Sequence, residues 1–177
     1  YANASGIPYG IGFIKNRYVG RTFIQPSQGM REDSVRIKLN VVSDIVRGKR
    51  VILVDDSIVR GTTCARIVSL IREAGATEVH MRISSPPFMN PCYFGTDIDS
   101  KDKLIACQMS VDEIAEHIGA DSLGYLSVDG VNSLAKEAPC SFCDGCFTGN
   151  YPAEIPTTFE KDKFETKISE SCLGKQD

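Results

Sequence analysis

A short apolar run, Val51-Ile52-Leu53-Val54, stops on two adjacent carboxylates, Asp55 and Asp56. The loop Ser57-Ile58-Val59-Arg60-Gly61 then delivers the chain to Thr62 and Thr63, where helical spacing begins. The run reads as a fully buried strand. A strand–loop–helix junction of this kind is where open α/β sheets bind ligands, beyond the carboxyl ends of their strands. Its chemistry suits a sugar phosphate: N–H groups at a helix N-terminus and two Thr hydroxyls hold a phosphate, and paired carboxylates accept hydrogen bonds from the vicinal hydroxyls of a ribose. A plainer reading, in which Asp55 and Asp56 only cap a βα turn, suits a single Asp better than a doubled one followed by Ser-x-x-x-Gly-Thr-Thr.

The flanks alternate helix and strand. Residues Tyr1 to Gly6 read as a helix end stopped by Gly6, and Ile7 to Ile14 as an apolar stretch ending in a strand. Ile37, Val41, Val42 and Ile45 fall at helical spacing, which predicts a helix over 34–46 ended by Gly48. Ile67, Leu70, Ile71 and Ala74 share one face of a helix that starts at Thr62 and stops at Gly75, with Cys64 as a packing residue in its first turn. Val79, Met81 and Ile83 alternate with His80, Arg82 and Ser84, a half-buried strand with His80 on its polar side and no evident carboxylate partner. Ser110-Val-Asp-Glu113 is a capping box for a short helix carrying His117 in its last turn, Leu123 to Leu126 is a short strand, and Ser127 caps a helix through Leu134. The alternation calls for a sheet that is parallel at its centre.

Composition narrows the function classes. The 177 residues allow one full domain, with 42% hydrophobic and 24% charged residues as in ordinary globular proteins. A net charge of −3 gives no reason to expect nucleic acid, and no run approaches the ~20 apolar residues that a bilayer requires. No secretory signal opens the sequence, so the cytoplasm is the expected compartment and seven Cys are read as thiols or metal ligands. The missing initial Met points to a fragment or a processed chain. Against the acidic whole, residues 15–38 carry six basic and two acidic side chains around Gly20, Pro26 and Gly29. A cationic loop just before a phosphate motif reads as an anion clamp, with a solvated loop as the alternative.

Cys140-x-x-Cys143-x-x-Cys146 has metal-ligand spacing. Zinc and an iron–sulfur cluster both remain open at that point. No second Cys-x-x-Cys exists, Cys92 sits in a loop suited to a ligand, Cys107 looks like core, and Cys172 lies in the polar tail.

Val-Asp-Asp-Ser-Ile-Val-Arg-Gly-Thr-Thr resembles the 5-phosphoribosyl-1-pyrophosphate (PRPP) loop of type I phosphoribosyltransferases, in a wording closest to the glutamine PRPP amidotransferase family. Lys15-Asn-Arg-Tyr-Val-Gly-Arg-Thr-Phe-Ile-Gln-Pro is similar to that family's flexible catalytic loop. Residues 84–97 and 143–154 resemble the segments that carry a [4Fe–4S] cluster in its iron–sulfur class. The resemblance runs from Tyr1 to about Glu154. It implies a type I phosphoribosyltransferase fold, α/β with a largely parallel central sheet flanked by helices.

On that resemblance Asp55 and Asp56 take the ribose hydroxyls and Mg²⁺, and Ser57, Ile58, Val59, Arg60, Gly61, Thr62 and Thr63 take the 5′-phosphate. Lys15, Arg17 and Arg21 belong to a catalytic loop that is mobile without ligand and closes over PRPP. Cys92, Cys143 and Cys146 are cluster ligands, the fourth coming from upstream, with Cys140 a bystander. The implied reaction transfers ammonia, channelled from a glutaminase domain, to PRPP to give 5-phosphoribosylamine and pyrophosphate, the first committed step of purine synthesis. The glutaminase domain, the first strand and the pyrophosphate loop are expected before Tyr1, so the fragment alone is expected to be inactive. A homotetramer and feedback by purine nucleotide inhibitors are also implied. The expected divisions are 1–136 for the partial transferase domain, 137–152 for the cysteine-rich segment and 153–177 for a polar tail. A nucleobase phosphoribosyltransferase and a non-catalytic PRPP- or nucleotide-sensing module are the rival readings.

Overall fold

The structure, a computed structural model, describes residues 1–15, 39–96, 98, 100–140 and 142–155. Arg17, Arg21 and Cys172 lie outside the described residues, as does the tail from residue 156 onward.

The chain opens with one helical turn, α1 (Ala2–Ser5), stopped by Gly6 in the left-handed region at φ 71°. Strand β1 (Phe13–Lys15) pairs antiparallel with β2 (Leu39–Val41), Lys15 opposite Leu39. The pairing corrects the expected helix over 34–46. Its described part is a strand followed by a single helical turn, α2 (Ser43–Val46), with Val46 buried. The spacing of Val41, Val42 and Ile45 suits a helix, yet β-branched residues also favour strands, and pairing with β1 decides the contest.

Three parallel strands carry the rest. In β3 (Arg50–Asp55), β4 (Glu78–Ile83) and β5 (Ser122–Tyr125) the order is β3-β4-β5. Asp55 stands opposite Ile83, and Ile83 opposite Tyr125, so these three residues share the carboxyl end of the sheet. Helix α3 (Thr62–Glu73) links β3 to β4, and α4 (Val111–Ile118) leads into β5. Both cover the same face of the sheet. Val68 and Ile71 from α3, Val79 and Met81 from β4, and Ile114 and Ile118 from α4 form one core with almost no exposure. Burying such side chains contributes about 1.5–3 kcal/mol each.

In α3 the buried side chains are Cys64, Val68, Leu70 and Ile71; Ile67 is only half-buried. Gly75 follows the helix at φ 98°. The capping box at Ser110 forms as its sequence requires, and Gly119 ends α4 in the left-handed region. Ser127 accepts from the Gly130 N–H and caps α5 (Val128–Ser133).

β3 departs from its expectation. It sits at the edge of the described sheet, and Val54 is 56% exposed. Helices α3 and α4 cover the same face of the sheet, so Val51 and Leu53 pack against the core while Val54 faces the other way, and the apolar run is half-buried rather than fully enclosed. His80 also departs. It has a carboxylate partner after all, since its ring bridges Glu78 Oε2 at 2.9 Å and Ser122 Oγ at 2.9 Å. Glu78 lies two residues earlier on the same strand face, an i/i+2 relation.

Asp121 ties α3 to the start of β4. Its Oδ2 accepts from the Val79 N–H at 2.6 Å and from Arg72 Nη2 at 2.7 Å. The Val79 N–H first, and Arg72 after it, hold this carboxyl below the ordinary aspartate range. Its folded pKa is therefore depressed, so its stabilisation is present above the unfolded value near 4 and fades as pH falls through the folded one. We expect Asp121→Asn to lower the urea midpoint at pH 7, modestly because the group is exposed. The gap from wild type should close as the pH drops below about 4, which urea titrations across that range will read.

Candidate functional site

The site grows from the carboxyl end of β3. Asp55 ends the strand and is half-buried, whereas Asp56 is exposed. Asp55 Oδ1 accepts from the Asp56 N–H at 2.9 Å, and Asp56 Oδ1 accepts from Ser57 Oγ at 2.7 Å. Behind the pair, Cys64 Sγ on the first turn of α3 stands 4.0 Å from Asp55 Oδ2. Burial raises the Asp55 pKa, the Asp56 N–H opposes that, and the Asp56 charge adds to it. Burial, then Asp55 and Asp56, push the Cys64 thiol to about 12, so it stays protonated at neutral pH.

The loop after Asp56 is pinned from below. Ile58 is 2% exposed in the main core, and the Val59 carbonyl accepts from the Ile105 N–H at 2.9 Å. Gly61 is the N-cap of α3, with φ 81° and no side-chain cap. A Cβ there would stand 2.8 Å from Ile105 Cδ1, 3.6 Å from Ile118 Cγ2 and 3.7 Å from His117 Cδ2. Close packing and a left-handed backbone both demand glycine. The first N–H groups of an α-helix have no intrahelical partner, and Thr62 and Thr63 beside them are exposed. Backbone amides, two hydroxyls and the end of a helix dipole thus open onto one surface next to two carboxylates.

Ile105, His117 and Tyr125 were not singled out as site residues by the sequence, though all three border this junction. Ile105 and His117 flank Gly61, and Tyr125 stands at the end of β5 with a buried hydroxyl that makes no hydrogen bond within the described residues. Burial, with Cys64 second, pushes that hydroxyl to about 12. No local pattern marks these residues, because each arrives from a distant element.

A second neighbourhood holds the cysteines. The helical turn α6 (Gly145–Thr148) docks on the loop after β4. The Cys146 carbonyl accepts from the Met89 and Asn90 N–H groups, each at 3.0 Å, and Tyr151 Oη donates to the Pro91 carbonyl at 2.6 Å. Cys92, Cys107 and Cys146 pack against a small core of Phe88, Ile98 and Leu104. Cys107 Sγ donates to the Met89 carbonyl at 3.2 Å.

Burial opposes a thiolate at Cys92, but N–H groups of Phe94, Thr96 and Gly95 outweigh it and hold this thiol below its usual range. Burial first, then the Cys92 charge, push Cys146 the other way. Tyr151 is raised to about 12 by burial, by Tyr93 and by Cys146, Cys92 and Cys143 in turn, so all three thiols lie within electrostatic reach of one ring. Cys140 and Cys143 are exposed, and among the described residues no three His, Cys, Asp or Glu side chains are gathered closely enough to hold a metal ion. Lys15 is exposed at the end of β1.

No family model matches the chain. Curated relatives do. One from Synechocystis is 58% identical over 163 residues, 92% of this chain, and one from Bacillus subtilis is 58% identical over 159 residues, 88% of this chain. The chain is a homologue of the amidophosphoribosyltransferases. It spans about a third of the length of these relatives, 33% in both cases. A chloroplastic amidophosphoribosyltransferase of Arabidopsis thaliana is 53% identical over 154 residues.

Two solved structures share the α/β fold. The B. subtilis glutamine PRPP amidotransferase complexed with ADP and GMP aligns with TM-score 0.74 and 57% identity, over 89% of this chain and 35% of that one. A structure described as the allosteric regulatory enzyme of purine biosynthesis aligns with TM-score 0.75 and 58% identity, over the same shares.

Gly61→Ala tests how tightly the junction is built. Forcing an L-residue into the left-handed region costs about 1–2 kcal/mol, and the contact with Ile105 adds to it. We expect a fall larger than that in unfolding free energy by urea titration. Gly6→Ala, also at positive φ but with nothing within 4 Å, should show the backbone cost alone.

Proposed function

We propose that this chain is the PRPP-binding part of an amidophosphoribosyltransferase, which transfers ammonia released from glutamine to PRPP and yields 5-phosphoribosylamine and pyrophosphate in purine biosynthesis. One observation carries the reading: two carboxylates end a parallel strand directly beside an uncapped helix N-terminus bearing two exposed Thr residues. Homologues at 58% identity with that name support it.

In this reading the amides of 57–63 and the Thr62 and Thr63 hydroxyls bind the 5′-phosphate, which helix N-termini favour. Asp55 and Asp56 accept the ribose 2′- and 3′-hydroxyls. Substitution at an anomeric carbon passes through oxocarbenium-like charge, so held negative charge near the ribose stabilises the transition state more than the ground state. The half-buried Asp55 carries a repulsion from Asp56 that a cation would relieve, which fits Mg²⁺ at this pair. Mg²⁺ would neutralise the pyrophosphate leaving group. Lys15, with Arg17 and Arg21, would shield that pyrophosphate from water when their loop closes. Ammonia would arrive from a glutaminase domain of the full-length protein.

Cys92, Cys143 and Cys146 offer the donor chemistry of a [4Fe–4S] cluster, and the N–H groups around Cys92 stabilise a thiolate there. The cluster would be structural, since phosphoribosyl transfer moves no electrons. Residues 1–136, 137–152 and 153–177 then serve as transferase part, cysteine segment and tail. The full-length enzyme would be a cytoplasmic homotetramer inhibited by purine nucleotides; the ADP and GMP of the B. subtilis complex support the last point.

Asp55→Asn in the full-length protein separates a ligand-binding role from a structural one. The folded pKa of Asp55 is raised, so its ionisation lowers stability as pH rises above the unfolded value near 4. The isosteric amide should therefore raise the urea midpoint at pH 7 while reducing kcat/KM for PRPP by on the order of 10²-fold. Unchanged PRPP kinetics in both Asp55→Asn and Asp56→Asn would remove the pair from the site.

Iron analysis checks the second centre. Purified full-length protein should carry iron and labile sulfide, and Cys146→Ser or Cys143→Ser should lose both with lower soluble yield. Cys140→Ser should retain them. Equal iron loss in Cys140→Ser would overturn the ligand assignment.

A further inference from the structure

Two adjacent dipeptides each straddle both cores. In the loop, Ile58 belongs to the main core and Val59 packs against the small one. In the connection before α4, Leu104 belongs to the small core at 0% exposure and Ile105 to the main core at 4%. The dipeptides are joined by the Ile105 N–H to Val59 carbonyl bond at 2.9 Å, and Ile105 Cδ1 lies directly under Gly61. The loop that reaches toward the ligand is thus set by a backbone bond and a side chain from one short segment.

The small core leads elsewhere from there. Leu104 shares it with Phe88, whose ring stacks on Phe147 at 5.1 Å. Phe147 follows Cys146, whose carbonyl is bonded to the Met89 and Asn90 N–H groups. The cysteine segment therefore touches the wall against which Val59 rests.

We propose that Leu104 and Ile105 are positioning residues for the 57–63 loop, and that they couple its geometry to the docking of the cysteine segment through Phe88 and Phe147. The coupling rests on the phosphate-loop reading for its functional meaning only. Loss of Phe147 opens space beside Phe88 and Leu104, Leu104 relaxes toward it, and Ile105 withdraws support from Gly61 and Val59. Close-packed interiors transmit such displacements because they have little free volume to absorb them.

The test uses the full-length protein with Phe147→Ala, read by amide hydrogen exchange at Ile105, whose N–H is held by the Val59 carbonyl, and by calorimetric titration with ribose 5-phosphate. Val79→Ala, in the main core at the far end of β4, controls for general destabilisation. We expect at least fivefold faster exchange at the Ile105 amide and about fivefold weaker ribose 5-phosphate binding in Phe147→Ala. Val79→Ala should lower the melting temperature without either change, and Phe147→Leu should restore most of the protection. If Phe147→Ala does not fold, Leu104→Val, one methylene smaller, carries the same expectation at reduced size. Unchanged exchange at the Ile105 amide in the Phe147 or Leu104 variant, or equal loosening in Val79→Ala, overturns the coupling. Faster exchange in a protein whose wild type binds no ribose 5-phosphate would uphold the coupling and sink the phosphate reading instead.

Discussion

Everything at the candidate site depends on the chain turning through a left-handed residue at Gly61 with no room for a side chain. Ile105, Ile118 and His117 close in beneath that residue. A loop that merely drifted over the sheet would leave the amides of α3 in arbitrary directions. Here the turn is pressed between a buried Ile58 and a packed floor, so the helix begins at one defined place beside Asp55 and Asp56. The preorganisation is what gives backbone N–H groups recognition value, since their orientation is fixed before any ligand arrives.

The same constraint explains the parallel sheet's part in function. Asp55, Ile83 and Tyr125 end three neighbouring strands in register, and α3 and α4 pack on one face of the sheet behind them. Polar chemistry is left at the carboxyl edge, because that is where each strand must leave the sheet and expose backbone groups. The Ser84 N–H and hydroxyl both bond to the Asp55 carbonyl, at 2.9 and 3.1 Å, so the exit of β4 also braces the acidic end of β3. The loop that bears Cys92 departs from that brace, and this joins two centres that are 37 residues apart in sequence.

What could be read from the sequence follows how local each feature is. The strand–Asp55–Asp56–loop–helix unit, the Ser110 box, the Ser127 cap and the stops at Gly6 and Gly75 are written within a few residues, and the structure contains them. The helix expected over 34–46 failed where Val41 and its neighbours could satisfy either period and β1, many residues earlier, chose the strand. The full burial of Val51–Val54 failed because apolar character says nothing about whether both faces of a sheet are covered, and Val54 lies on the face away from the core. The Glu78 partner of His80 was two residues away yet overlooked, since the strand reading concentrated on its apolar positions. Ile105, His117 and Tyr125 were illegible for a different reason: their importance comes only from being folded against Gly61 and Cys64.

Burial sets the electrostatics behind Asp55. The Cys64 thiol and the Tyr125 hydroxyl both lie near it, and burial holds each at about 12. Neither ionises at neutral pH, so the negative charge of this corner resides on Asp55 and Asp56 alone. Burial raises the Asp55 pKa while the strand's end keeps its carboxylate in place. A carboxylate held in a partly desolvated site interacts more strongly with an approaching positive charge than one in water would, because less solvent screens the pair. A positive charge placed there would relieve the Asp55–Asp56 repulsion at the same time. The corner with Asp55 ionised is therefore less stable than its neutral counterpart would be, and a positive charge placed there would offset that deficit.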